Sequence, residues 1–422
     1  LYHFGFGQAK FTCIQILSFA GMITVSQALK IVDREVTPLG NERVDIADAV
    51  GRVLAEDIVA DHDLPPFDRS QMDGYAVRAA DTANAPVILK LAGESAAGRG
   101  WRGTLKKGEA VRIMTGAPVP KGANAVQKLE LASESEGLVT LAEPTEKSRY
   151  IVKRGSETKK GRVVMRKGEV ISAANIAIPA AFGFSKIRVS RRPRVAIIAT
   201  GSEIVDISKK PKADQIRNSN SAMLSALCRD AGAETTVFPI AGDDISQLKR
   251  CISDASRQHD IVVMTGGVSV GKYDLTKAAL SEIGAEIFFE KLRLKPGKPA
   301  VFAKLKNTCI FGLPGNPVSA SVTFYLFVRR AILLMQSAIH VDLLRGAAIT
   351  KSIIKGTKGR DFYSPVTLAA ERGVLVATPI KWHGSSDLVG FASADALAVV
   401  PAGRSIEAEK PVEILFLPHF GK

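Results

Sequence analysis

The chain has 422 residues, 46% hydrophobic and 23% charged, so it exceeds one typical core and predicts roughly two to four domains of ordinary globular composition. Lys and Arg outnumber Asp and Glu by 57 to 42, a formal charge of +15, which favours an anionic partner. The basic residues are dispersed with little aromatic interleaving, which argues against nucleic acid. No apolar run approaches the roughly 18 residues a membrane span needs. Cys13, Cys228, Cys251 and Cys309 are far apart with no CxxC pair, which disfavours zinc and a disulfide framework and fits a reducing cytoplasm.

The chain opens on Leu1, and Phe11 to Ala20 is a short apolar run without the basic flank of a secretory signal. Met22-Ile23-Thr24 reads as the natural start, which makes 1–21 an extension or tag. From Ser26 the pattern is helical, with Ala28, Leu29, Ile31 and Val32 on one side, and it is expected to resume after Pro38 through Val44, Ile46, Ala47 and Val50. Two prolines make Asp63 to Asp73 an ordered loop that runs into a strand. Val87 to Leu141 reads as all-β, and mixed structure follows between Tyr150 and Val189.

From Arg194 strands and helices alternate. Val195-Ala196-Ile197-Ile198-Ala199 is a strand buried on both faces. Helices are expected near Ser219–Arg229, Ile245–Ser256, Leu275–Ile283 and Pro317–Met335, with strands at Thr235–Ile240, Ile261–Met264, near Ile287 and at Thr308–Gly312. This is a doubly wound α/β domain with a parallel sheet. From about Asp342 the tail is β again, and a small barrel or sandwich is expected.

Ligands of open α/β sheets bind beyond the carboxyl ends of the strands. Those ends read Thr200-Gly201-Ser202-Glu203, Gly242-Asp243-Asp244, Thr265-Gly266-Gly267-Val268-Ser269-Val270-Gly271 with Asp274 close behind, and Gly312-Leu313-Pro314-Gly315-Asn316-Pro317. Glycine lets backbone N–H groups approach phosphate oxygens. Asn316 as N-cap and Pro317 at the first helical position offer a helix N-terminus to an anion. Glu203, Asp243 and Asp274 would repel phosphate unless a hard cation such as Mg²⁺ intervened; a lone Asp243 or Asp244 would equally serve as a helix cap. Lys291, Arg293, Lys295 and Lys298 sit in a loop stiffened by Pro296 and Pro299 and suit an oxyanion. Walker, GxGxxG, GxSxG and HExxH patterns are missing, which disfavours ordinary nucleotide hydrolases, dehydrogenases and triad hydrolases.

These motifs resemble the molybdopterin molybdenumtransferases, the MoeA/gephyrin E-domain family. The specific pieces are Pro66 to Ala76, Arg112 to Pro120, Thr265 to Gly271, Lys295 to Pro299 and Leu313 to Ser319. The resemblance implies molybdate (or tungstate) insertion into adenylated molybdopterin, with Mg²⁺, releasing molybdenum cofactor and AMP. It implies that Asp73, Thr115, Glu203 and Asp274 act in catalysis. Gly201, Gly266, Gly267, Ser269, Gly271, Lys291, Lys295, Lys298, Pro314, Gly315, Asn316 and Ser385 would bind substrate, and Glu203, Asp243 and Asp274 would handle the metal. It further implies a cytoplasmic homodimer in which Asp73 and Thr115 complete the partner's cleft, and contact with the molybdopterin adenylyltransferase. The implied domains are a discontinuous dimerisation domain (22–56 and 148–188), a mostly β domain (57–147), the α/β molybdopterin-binding domain (189–337) and a C-terminal β domain (338–422). Arg69, and Ser156 before Glu157, depart from the family pattern, while Arg360 and Ser385 match it loosely. Molybdopterin adenylylation and a gephyrin-like scaffold are the alternatives.

Overall fold

The computed structural model describes residues 21–242, 244–267, 275–381 and 383–420. The chain divides into two compact units, one made of residues up to Glu42 with Ser190–Lys422, the other of Arg43–Val189.

The first unit begins with α1 (Val25–Glu35), whose Thr24 and Gln27 form a reciprocal capping box and whose Val25, Ala28 and Val32 are buried. Next come β1 (Arg194–Ala199), α2 (Ser219–Asp230), β2 (Glu234–Val237), α3 (Ile245–Gln258), β3 (Ile261–Thr265), α4 (Leu275–Glu282), β4 (Glu286–Lys291), β5 (Leu294–Lys295), β6 (Pro299–Leu305), β7 (Thr308–Leu313) and α5 (Pro317–Met335). The sheet order is β2-β1-β3-β7-β6-β4. The first four strands are parallel, and β6 is antiparallel to both β7 and β4. The sheet is therefore mixed where a parallel one was expected. The Pro-Gly-Lys-Pro run disguised β6, which returns to β7 through a tight turn at Lys306.

Strand alternation sorts the core. Val195, Ile197, Ile261 and Val263 join α1, α2 and α5 on one face, while Ala196, Ile198, Val262 and Met264 meet α3 and α4 on the other. Both faces are thus covered, which explains the continuous apolar runs. α5 contains a π-helical turn at Phe324–Val328, and all five of its residues are buried. Although Arg329 and Arg330 break its apolar run, α5 is, contrary to the sequence expectation, the one helix among the described residues long and apolar enough to cross a membrane; 83% of its apolar window is buried inside the protein.

Fully buried Phe302 packs 4.8 Å from Phe311 and 5.4 Å from Phe288 between ring centroids. Phe302→Ala should cost about 3–5 kcal/mol through lost burial and a residual cavity, read as a lower denaturation midpoint.

The tail closes into a barrel. β8 (Arg345–Thr350), β9 (Asp361–Glu371), β10 (Val374–Pro379), β11 (Ala396–Val400) and β12 (Pro411–Phe416) pair in the ring β9-β10-β8-β12-β11-β9. Closure leaves no free edge except at β9, where the short β5 adds in parallel.

The second unit is built on a six-stranded sheet of Ala125–Lys128, Gly74–Val77, Glu109–Ile113, Val87–Ser95, Leu138–Leu141 and Ala132–Ser135, in that order. Tyr75, Val77 and Leu89 pack on one face, and Ala76, Val111 and Ile113 on the other. A separate cluster joins Leu54 and Ile58 to Met165, Ile171 and Ile187. The helix expected around Val44–Val50 is instead a strand, Asn41–Asp45, paired with Lys186–Ser190 and followed by one 3₁₀ turn at Ile46–Asp48. Val44 and Ile46, two residues apart, carry the strand period, and pairing overrides the weak helical pattern.

Candidate anion-binding cleft and basic loop

Because β2, β1, β3 and β7 are parallel neighbours, their carboxyl ends lie along one edge of the sheet. A cleft of about 450 Å³ opens there, lined among others by Thr200, Glu203, Gly266, Gly315 and Asn316. The Thr200 N–H donates to the Thr265 carbonyl (2.9 Å), and the Gly266 N–H donates to the Leu313 carbonyl (3.3 Å). Adjacent loops are thereby cross-linked.

Gly266 has φ +86°, and a Cβ there would lie 2.2 Å from the Thr200 carbonyl oxygen. Gly267 has φ +66°, and its Cβ would lie 2.7 Å from Thr200 Oγ1 and 3.0 Å from Thr276 Oγ1. Both positions therefore require glycine on conformational and steric grounds. The Gly266 N–H is already spent on Leu313. Those of Gly267, Gly315 and Asn316 have no acceptor among the described residues, and they are the amides left for a phosphate.

Glu203 is exposed at the cleft and forms no ion pair among the described residues, while Gly201 beside it is buried. A Cβ on Gly201 would meet Glu203 Oε2 at 2.6 Å, so the carboxylate folds back over that glycine. Asp243, Ser269, Gly271 and Asp274 lie outside the described residues. Asp244 is the N-cap of α3 and accepts from Ser246 and Gln247 N–H.

The start of α5 differs from expectation. Asn316 holds the N-cap position but makes no side-chain cap; its Nδ2 donates instead to Ser385 Oγ at 2.7 Å. The Val318 N–H donates to the Ser385 carbonyl at 3.1 Å. The barrel therefore supplies the acceptor for part of the helix N-terminus that sequence reasoning had left to an anion. Ser385, a loose motif match, thus sits against the cleft, and Ser386 lines it.

Arg217, Asn218 and Asn220 also line the cleft and were missed by sequence reasoning. Their signal was the polar run Asn218-Ser219-Asn220-Ser221 opening a helix at the ligand-binding edge; it reads equally well as a helix start, and Asn218 does cap α2 by accepting from Ser221 N–H.

The lysines gather elsewhere. Leu292 N–H donates to the Lys298 carbonyl at 2.8 Å, closing the basic loop, and none of Lys291, Lys295 and Lys298 lines the cleft. No ion pair neutralises these three among the described residues. β5 holds the loop against β9, Lys295 Nζ lies 4.8 Å from the Phe362 ring centroid, and Arg293 Nε donates to the Gly359 carbonyl at 3.0 Å. Arg360, between Gly359 and β9, is thereby carried to the same loop.

In the second unit Asp73 and Thr115 meet directly: Asp73 Oδ1 accepts from Thr115 N–H (2.6 Å) and Thr115 Oγ1 (2.8 Å). The backbone bond first, and the hydroxyl bond second, hold the Asp73 carboxyl below the usual carboxylate range. A depressed pKa favours the ionised form in the fold. This contribution is therefore complete above the ordinary aspartate value of about 3.9 and is lost as pH falls through the lower folded value. Carboxyl NMR titration should place the Asp73 midpoint below that value, and Thr115→Val should raise it. Arg69, which departs from the family pattern, pairs with the acid kept after Ser156, its Nη2 donating to Glu157 Oε1 at 3.1 Å. Both side chains are largely exposed, so this pair adds little stability.

Three family models match in succession: MoeA N-terminal region (domain I and II) over residues 23–183, a probable molybdopterin binding domain over 196–333, and MoeA C-terminal region (domain IV) over 347–417. Similar curated proteins include molybdopterin molybdenumtransferases of Staphylococcus epidermidis, 33% identical over 93% of this chain and 95% of the relative, and of Staphylococcus aureus strain COL, 34% identical with the same coverage. A crystal structure of the molybdopterin biosynthesis moeA protein from Pyrococcus horikoshii OT3 superposes with a TM-score of 0.81 at 31% identity, covering 94% of this chain and 100% of that one. With its mixed α/β domain, β-rich N-terminal region and closed C-terminal barrel, this chain belongs to the MoeA family, that of the molybdopterin molybdenumtransferases.

Proposed function

We propose that this protein inserts molybdenum into molybdopterin. In finer detail, it takes adenylated molybdopterin and molybdate, or tungstate, and releases molybdenum cofactor and AMP. The observation that carries the reading is the pairing, within one unit, of a glycine-turn cleft and a separate loop of three unneutralised lysines. A single phosphate ligand would explain the cleft alone; a reaction between a phosphorylated substrate and a second oxyanion explains both. Gly267, Gly315 and Asn316 would present amides to the substrate phosphate, Lys295 would attract the oxyanion with Lys291 and Lys298, and Pro314 would shape the turn between β7 and α5.

Mg²⁺ fits the chemistry of the cleft. The exposed Glu203 carboxylate stands beside hydroxyl and carbonyl oxygens, a hard donor set with no sulfur or imidazole. In this reading Glu203, Asp243 and Asp274 would hold the ion. When bound it would offset the charge of the phosphoanhydride and its leaving group. Asp73, kept ionised by Thr115, would join the same reaction from the second unit of a partner copy, which makes the working form a homodimer in the cytoplasm. The adenylated substrate requires a preceding adenylyltransferase, a natural partner for hand-over.

Mass spectrometry after incubation with adenylated molybdopterin, molybdate and Mg²⁺ should find a molybdenum-containing product without its adenylyl group. Consumption of ATP with free molybdopterin would instead indicate the adenylylation step. Stable dimers without either reaction would indicate a scaffold.

A further inference from the structure

We infer that Asn220 is a positioning residue for the substrate phosphate, acting through the Gly315–Asn316 turn; this rests on the function proposed above. Asn220 lies in the first turn of α2, and its Nδ2 donates both to Thr265 Oγ1 (2.8 Å) and to the Gly315 carbonyl (2.7 Å). Thr265 Oγ1 in turn reaches the Pro314 carbonyl at 3.3 Å. One carboxamide therefore ties the start of α2 to the ends of β3 and β7. Because the Gly315 carbonyl can only accept, the amide orientation is fixed and Oδ1 cannot exchange places with Nδ2.

Four buried oxygens in this region have no partner among the described residues: Asn220 Oδ1, Thr200 Oγ1, Ser221 Oγ and Thr276 Oγ1. Asn220 and Thr200 line the cleft itself. Asn220 spends both of its bonds on Nδ2 and leaves a buried Oδ1 unpaired at the cleft; such a group calls for an explanation, and a ligand that completes the network supplies one. The turn that Asn220 holds carries two of the three amides left for a phosphate. Freeing that turn should weaken substrate binding while leaving the chemical step to Glu203 and the lysines.

Asn220→Asp keeps the size but replaces the double donor with an acceptor facing the Gly315 carbonyl. Its KM for adenylated molybdopterin should rise at least 10-fold with kcat within 3-fold of the parent, and the KM for molybdate should be unchanged. Ser225→Ala, which removes a buried hydroxyl of α2 bonded to Thr235 and Arg229 away from the cleft, should lower thermal stability and leave both KM values as they were. If Asn220→Asp behaves like Ser225→Ala, or lowers kcat alone, the inference is overturned.

Hydrogen exchange without substrate separates this failure from failure of the proposed function. The bonded amides at the start of α5, Val318 N–H (to the Ser385 carbonyl) and Ala320 N–H (to the Asn316 carbonyl), should exchange faster in Asn220→Asp than in the parent. Unchanged exchange sinks the inference even if the parent is active. Faster exchange beside a parent protein that does not turn over adenylated molybdopterin places the error in the function, and the inference falls with it.

Discussion

Gly266→Ala should leave a protein with little or no turnover and a clear loss of stability. The backbone at Gly266 has φ +86°, and the new Cβ would lie 2.2 Å from the Thr200 carbonyl oxygen, itself backbone in a core strand end. Neither side can yield cheaply, because the Thr200 N–H is bonded to Thr265 and the Gly266 N–H to Leu313. Left-handed strain alone costs a non-glycine residue about 1–3 kcal/mol, and the clash adds to it. The loops at β1 and β3 must part, and the Gly267 amide moves with them. We expect at least a 100-fold fall in kcat/KM, together with a lower unfolding midpoint. Gly315→Ala is the informative contrast: its Cβ would approach Gly266 Cα only to 3.5 Å, an ordinary contact, so it should fold normally and affect binding far less.

The second large effect concerns the basic loop. Lys295 projects over Phe362 and has no carboxylate partner among the described residues, so its charge remains available to an oxyanion. Lys295→Ala should raise the KM for molybdate by about 10- to 100-fold, the loss of about 1.4–2.7 kcal/mol expected for one charge-assisted contact. The KM for adenylated molybdopterin should stay within a factor of three, because the lysine loop does not line the cleft. Lys295→Arg should recover only part of the loss, since a planar guanidinium does not reproduce a compact ammonium charge. Equal effects on both substrates would show that loop and cleft serve one ligand.

The α/β domain was legible in the sequence for physical reasons. Strands buried on both faces need continuous apolar runs, and the helices between them carry their own caps, as Asp244 and Asn218 do. Strand ends therefore fell close to their predicted places, and with them the edge of the cleft. Long-range pairings were not legible. Asn41–Asp45 became a strand because Lys186–Ser190 lies beside it, and β6 is antiparallel because a tight turn follows it.

The same limit applied within the site. Gly266 and Gly267 could be read from local chemistry, whereas the contact of Asn316 with Ser385 joins two residues 69 positions apart. Asn220 escaped notice because its amide serves residues 45 and 95 positions away. Nothing in a polar helix start announces such partners. Arg69, unusual by itself, gains its partner only from Glu157, 88 positions away.

The most direct test of a cleft and a lysine loop serving two different anions is AMP release from adenylated molybdopterin, followed as molybdate is varied at saturating Mg²⁺. The rate should rise from near zero to a plateau with molybdate, with a half-saturation point shifted upward by Lys295→Ala and no ATP consumption. AMP release at the same rate without molybdate, or a half-saturation point indifferent to Lys295, would contradict it.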